Sequence, residues 1–213
     1  MNFPLAPAPP AVYNADVERH ELSELHYITP ICNVASILRH GIRSHKLAER
    51  LRHQTVAMEE IQARRANVAV PGGRRLHEYV NLYICARNPM LRKRKDLHEN
   101  LCVLRVAPEV LDLPNVIVTD QNAASRYVRF AQAPDGLAIV NKDMVFAEWW
   151  KHPEDRILEW RHISMKCAEV LVPECVDAEF IRRAYVSGQV SKGALEAVCP
   201  GLVAEVNAHM FFM

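Results

Sequence analysis

No two of the six cysteines, Cys32, Cys85, Cys102, Cys167, Cys175 and Cys199, form a C-x-x-C pair, and none has a histidine partner at zinc-ligand spacing. That excludes the common zinc modules and dithiol redox motifs. It predicts reduced, mostly buried thiols in a cytoplasmic protein, with no metal. The run from Met1 to Pro10 lacks the basic start and continuous apolar centre of a signal peptide. Nothing later approaches eighteen apolar residues in a row, so a soluble chain is expected. The sequence also lacks internal repeats, heptads and a dividing linker, which predicts one domain and a monomer.

Half of the 213 residues are hydrophobic, enough to bury a single core. Proline density makes residues 1–23 an extended arm and leaves 24–213 as the domain. The net charge of +1 hides an asymmetry: fourteen Lys and Arg stand against four Glu between Arg39 and Lys95, a local +10. Two readings fit that half of the chain, a solvated basic face or a surface for a polyanion.

The pattern predicts α+β. Strands are expected over 25–29, 79–86, 101–106, 116–119 and 167–172, with further strand character over 185–187 and 203–212. Helical spacing runs from Ile31 to Leu38 and is stopped by Gly41. A second helix is expected from about Thr55 to Ala66, with Glu59 and Glu60 early and Arg64 and Arg65 late. Others are expected over 122–131, 143–150 and 192–198. Strands dominate the middle and end, without regular βαβ alternation.

Glu169 is the most informative residue, a carboxylate between Ala168 and the apolar run Val170-Leu171-Val172. Strand alternation allows it to face solvent beside Lys166. Alternatively, a carboxylate on a rigid strand at a cleft edge stabilises positive charge developing on a sugar carbon. Breaking an N-glycosidic bond passes through such an oxocarbenium-like state. One carboxylate suffices when the leaving group is nicotinamide, whose ring nitrogen is cationic before cleavage and departs neutral. The site must also hold a pyrophosphate, for which Arg and Lys are suited.

Several segments occur in one order: Leu25-His26-Tyr27-Ile28-Thr29-Pro30-Ile31-Cys32-Asn33-Val34, Ile61-Gln62-Ala63-Arg64-Arg65, Val70-Pro71-Gly72-Gly73 with Leu76-His77-Glu78-Tyr79-Val80, Pro89-Met90-Leu91, Thr119-Asp120, and Lys166-Cys167-Ala168-Glu169. Over residues 24–188 this order resembles the DarT family. The resemblance implies an ADP-ribosyltransferase-like fold with a central split β-sheet, flanking helices and a basic loop/helix insertion. It implies an NAD+-dependent DNA ADP-ribosyltransferase toxin, modifying thymine or guanine in single-stranded DNA, with a macrodomain antitoxin that removes the modification. Two other readings stay open: transfer to RNA or protein, and an inactive nucleic-acid-binding module on the same scaffold.

Residue by residue, the resemblance places Glu169 on the catalytic glutamate and Arg65 on an arginine of the reaction centre. Arg65 also suits a plain helix C-terminus. The family's Tyr-His-Ile-Thr strand is reversed here to His26-Tyr27-Ile28-Thr29. Register kept from Ile28 and Thr29 puts Tyr27 toward NAD+, whereas a bulge restores His26. Thr29, His77, Tyr83 and Asn33 complete the implied NAD+ set, with Tyr83 suited to stacking on nicotinamide. Tyr83 is alternatively a core tyrosine, and Asn33 a helix cap. The basic residues Arg87, Arg92, Lys93, Arg94 and Lys95 read as a phosphate-tracking loop, joined by Arg74 and Arg75. Residues 39–53 are a second basic candidate. The family's tyrosine after Pro-Met-Leu is Arg92 here, which leaves the target base open. Asp120 reads as the cap of a helix beginning near Asn122.

Overall fold

The structure is a computed structural model that describes residues 16–55 and 59–213. Of the N-terminal arm expected over 1–23 only 16–23 are described. There Val17 and Leu22 are buried in the main core and Arg19–Glu21 form a single helical turn, so this part is packed on the domain and is not an extended arm. The stretch 56–58 of the second helix lies outside the described residues. In chain order the elements are β1 (Leu25–Pro30), α1 (Val34–His40), β2 (Ile42–Arg43), α2 (His45–Ala48), α3 (Glu59–Ala66), β3 (Tyr79–Tyr83) and α4 (Pro89–Lys93). There follow β4 (Leu101–Val106), β5 (Ile117–Thr119), β6 (Phe130–Gln132), α5 (Lys142–Phe146), α6 (Arg156–Met165) and β7 (Glu169–Pro173). The chain then runs through β8 (Cys175–Val176), β9 (Ile181–Val186), α7 (Gln189–Val198) and β10 (Ala204–Val206).

Eight strands form one sheet in the order β10-β9-β4-β1-β3-β7-β5-β6, antiparallel except for β9 and β10. The central strands are apolar on both faces because both faces are covered. In β4 five of the six residues are buried, and in β7 four of the five. The main core lies against Leu82, Leu104, Val106, Val118, Val170 and Val172, with Val34, Ile37 and Leu195 from the helices.

One feature of the pairing shapes everything beside it. β1 meets β4 along its whole length, from Leu25↔Val106 to Pro30↔Leu101. It meets β3 at a single position, His26↔Tyr83. Past that position the two strands part, and the sheet divides into halves of four strands.

Local chemistry explains the helix boundaries. Asn88, Asn141 and Asp155 each accept a hydrogen bond at a helix start, from the N–H of Leu91, Met144 and Leu158. Gly41 ends α1 at φ +76°, with its N–H 2.8 Å from the Ile37 carbonyl. A β-carbon there would lie 2.6 Å from both Cys175 Sγ and the Val176 carbonyl oxygen. Only glycine allows α1 to turn this closely into the β2–β8 pair.

Four expectations are corrected. No helix forms over 122–131: Asp120 accepts from the Arg129 N–H at 2.9 Å and from Arg129 Nε at 2.7 Å, closing a loop that leads into β6. The N–H groups of Asn122 and Ala123 point to Ser164 and Glu169 instead of along a helix. Asp120 is thus a loop clasp, not a helix cap. The helix expected over 143–150 stops at Phe146, and only Ala204–Val206 of the stretch 203–212 is strand. Helix α6 had no visible signal, because its apolar residues Ile157, Leu158, Trp160 and Ile163 do not form one core-facing stripe. Polar contacts hold it instead. His162 Nε2 lies 2.9 Å from the Met144 carbonyl, and Lys166 Nζ donates to the Val145 carbonyl at 2.7 Å, so both bind the end of α5. Among the described residues no helix is long and apolar enough to cross a membrane.

Two outcomes follow. Gly41→Ala should lower stability by roughly 1–3 kcal/mol through backbone strain alone, with the Cys175 contact adding to it, as read from urea denaturation. Burial lowers the pKa of His162, so the unfolded chain binds more protons near its ordinary value. This contribution is complete above that value and is lost as pH falls through the lowered one. Urea midpoints should decline from pH 7 to 5, and His162→Gln, which keeps a donor for Met144, should flatten the decline.

Candidate functional site

The parted strands border a cavity of about 930 Å³, at the large end for a small-molecule site. Tyr27, Ile28, Thr29 and Pro30 line it from β1, and Tyr79, Val80, Asn81 and Tyr83 from β3. Helix α3 adds Gln62, Arg64 and Arg65, and the 122–126 loop and α6 close one rim.

Glu169 does not itself line the cavity but stands directly behind Arg65, which does. The ladder aligns His26 with Tyr83 and Tyr83 with Glu169, so the carboxylate lies two strands from the point of division. Its backbone N–H donates to Thr119 Oγ1 at 3.1 Å, and that hydroxyl donates to the Gln121 carbonyl at 2.7 Å. Its side chain is fully buried. Arg65 Nη1 lies 3.1 and 3.0 Å from the two carboxylate oxygens, and the Ala123 N–H is 3.4 Å from Oε1. The reading of Glu169 as a solvent-facing residue beside Lys166 is therefore overturned: Lys166 is itself buried and turned toward α5. Arg65 is no free helix terminus either, since its side chain is 6% exposed against that carboxylate.

Tyr83 lines the cavity between the two halves. Burial, and then the charge of Glu169, raise its phenol well above the ordinary value, so it stays protonated. Tyr27 also lines the cavity, and burial pushes its phenol up to about 12. His26 is not among the lining residues. Its ring nitrogens lie 3.3 Å from the Tyr83 carbonyl and 3.1 Å from Glu24 Oε1, and the β1–β4 register runs without a bulge. The structure thus brings Tyr27, and not His26, to the cavity.

Thr29 and Asn33 are joined, Asn33 Nδ2 donating to Thr29 Oγ1 at 3.3 Å and to the Gln54 carbonyl at 2.7 Å. Asn33 Oδ1 accepts from the Gln54 N–H at 3.0 Å. Asn33 occupies the cap position of α1, but its side chain pins the 51–55 segment at the cavity edge rather than capping. The His77 ring lies 4.2 Å from that of His45. Desolvation, then His45 and Arg65, lower its pKa, which keeps the imidazole neutral.

The basic run behaves differently from its sequence appearance. Arg87 donates to the carbonyls of His209 and Glu148, and its guanidinium lies 4.3 Å from the Phe212 ring. Arg92 lies 5.6 and 5.7 Å from the Trp150 and Phe212 rings. Arg94 caps α4 through its backbone, and Lys95 is exposed and not among the lining residues. Arg74 pairs with Glu174, and Arg75 donates to the Ala66 carbonyl at 3.3 Å. Of these seven cations only Lys93 lines the cavity. The 39–53 candidate places Arg43, His45 and His53 there.

Sequence reasoning missed Gln62, although it stands one helical turn before Arg65 and so on the same face. Among the described residues four buried side-chain polar atoms lack a partner: Ser44 Oγ, Gln62 Oε1, Arg65 Nη2 and His77 Nε2. Three of the four belong to residues lining this cavity. Each unsatisfied group costs about 1–3 kcal/mol, so their convergence is that of a site completed by a polar ligand. The cavity presents a guanidinium with a free N–H backed by a buried carboxylate, a neutral imidazole and two protonated phenols. That set suits a transition state with positive charge on carbon.

A family model described as "ssDNA thymidine ADP-ribosyltransferase, DarT" matches residues 26–212. A DNA ADP-ribosyl transferase–DNA ADP-ribosyl glycohydrolase fusion protein of Thermosipho africanus is 35% identical over 177 residues, covering 77% of this chain. The match spans 42% of that fusion protein. The structure of Thermus sp. 2.9 DarT in complex with ADP-ribosylated ssDNA superposes with a TM-score of 0.78 at 22% identity, covering 89% of this chain and 96% of that one. The same Thermus protein in complex with NAD+ gives a TM-score of 0.74 at 22% identity, over 89% and 98% of the two chains.

Removing one partner of the buried pair leaves a charge without compensation. Arg65→Ala should cost roughly 3–5 kcal/mol of stability, measured by urea denaturation. The double change Arg65→Met with Glu169→Gln should recover most of that loss.

Proposed function

The chain belongs to the DarT family, and from that premise we propose that it cleaves NAD+ and transfers ADP-ribose to a thymine of single-stranded DNA. The observation carrying this reading is Glu169, buried on β7 and held by Arg65, whose side chain lines the cavity. NAD+ lies in the gap between β1 and β3, with its nicotinamide against Tyr83 and its diphosphate toward the lining cations Arg43, Arg64 and Lys93. Tyr27, Thr29, Asn33 and His77 complete the NAD+ contacts, and Gln62 adds an acceptor.

The N-glycosidic bond breaks with both electrons passing to the pyridinium nitrogen, so nicotinamide leaves neutral without a general acid. The ribosyl carbon becomes cationic, and the Glu169 carboxylate stabilises it by charge and by accepting a hydrogen bond from a ribose hydroxyl. Arg65 orients that carboxylate, and its free Nη2–H meets a substrate oxygen. A thymine ring nitrogen then bonds to the ribosyl carbon and gives up its proton to solvent water. Pairing and stacking occupy that nitrogen in a duplex, hence the single-stranded acceptor.

A DNA ADP-ribosyl glycohydrolase that reverses the modification is the matching partner, by analogy with the Thermosipho fusion. In this reading the chain is the toxin of such a pair, acting in the cytoplasm as a monomer.

The test supplies labelled NAD+ with single-stranded DNA, duplex DNA, RNA and cell protein, followed by mass spectrometry of released nucleosides. Label should appear on thymidine from single-stranded DNA, and Glu169→Gln should reduce transfer by at least about 100-fold. Label on RNA or protein with none on DNA overturns the acceptor, and an active Glu169→Gln overturns the site.

A further inference from the structure

Within the basic run over 87–95, Arg87 and Arg92 turn their side chains to the protein itself, and the cavity has a second approach for an acceptor strand. One rim of the cavity offers it. Arg126 and Trp160 both line the cavity, and Trp160 is 62% exposed. Beside Arg126, Tyr127 is 77% exposed, with the Arg126 guanidinium 5.5 Å from its ring. Arg156 stands 5.5 Å from the Trp160 ring, one turn earlier on α6. Single exposed aromatics are unremarkable on a protein surface. Two at one rim, each with an arginine, form the aromatic and cationic pairing that holds single-stranded nucleic acid.

The rim is mechanically joined to the reaction centre. Ser125 and Ser164 hydroxyls lie 2.5 Å apart, and the Asn122 N–H donates to the Ser164 carbonyl at 3.0 Å, tying the loop to α6. The same loop places the Ala123 N–H 3.4 Å from the Glu169 carboxylate. A strand lying on Trp160 and Tyr127 would thus be positioned by the segment that touches Glu169.

Resting on the reading of the chain as a DNA-modifying enzyme, we propose that Trp160 and Tyr127 are stacking platforms for bases flanking the target, and that Arg126 and Arg156 hold the intervening phosphates. Phosphate contacts set the strand's register, and stacking tolerates any base. The rim therefore governs strand affinity, and the cavity interior governs which base reacts.

The experiment measures anisotropy of a labelled oligothymidine without NAD+, together with KM for that strand in the transfer assay. Trp160→Ala should weaken affinity about 10-fold, and Trp160→Phe should retain most of it. Arg126→Ala should reduce the salt dependence by about one counterion. Lys95→Ala, in the basic run, should change affinity less than about 2-fold, the order opposite to that expected if the run tracked the strand. If Trp160→Ala and Arg126→Ala bind DNA like the wild type while the wild type modifies DNA, the rim assignment fails and the enzymatic reading stands. If the wild type labels RNA or protein and no DNA, the enzymatic reading fails and takes the rim assignment with it.

Discussion

One residue pair stitches the sheet together. His26 and Tyr83 are the only ladder partners between β1 and β3, and the side chain of His26 reinforces the joint by reaching the Tyr83 carbonyl and Glu24. Against the cost of burying Glu24, His26 and Arg105 hold that carboxyl at about 2, so the joint is backed by a charge that persists across ordinary pH. A continuous ladder would fill the gap with backbone hydrogen bonds. A complete separation would leave the carboxylate-bearing half free to move relative to β1. A single joint avoids both, leaving an open gap whose two walls keep one register.

The same register explains why a charge can be stored so deep. An ionised carboxylate without a partner is too costly to bury, and Glu169 is compensated from three directions: the Arg65 guanidinium, the Ala123 N–H and a strand backbone locked by Thr119. These groups come from α3, the 120–129 loop and β5, so the setting of the carboxylate forms only when distant parts of the chain have assembled. The orphaned atoms of Gln62, Arg65 and His77 are the converse case, polar groups whose partners the fold does not supply.

Legibility in the sequence followed how local the cause was. The strand at 101–106 was visible because nearly every residue is apolar, and the end of α1 because Gly41 alone suits its backbone angle. Glu169 stood out as a charge in an apolar run, and the ordered segments tied it to Arg65. The direction of His26 and Tyr27 depended on whether the ladder with β4 contains a bulge, which no local pattern reveals. The fate of residues 122–131 was hidden because Asp120 and Arg129 form a contact that competes with helix formation only once Ser164 and Glu169 are in place. The placement of the basic run was hidden for a similar reason. Aromatic rings from distant stretches, Trp150 and Phe212, draw Arg87 and Arg92 into the structure, and a count of charges cannot register that.

The clasp between Asp120 and Arg129 separates the root of the 120–129 loop from its tip. Its root is committed to Glu169 and Ser164, while Arg126 and Tyr127 protrude beyond it. Substitutions at the tip can accumulate without disturbing the contacts that hold Glu169. Variation at the rim is thereby decoupled from the geometry around the carboxylate.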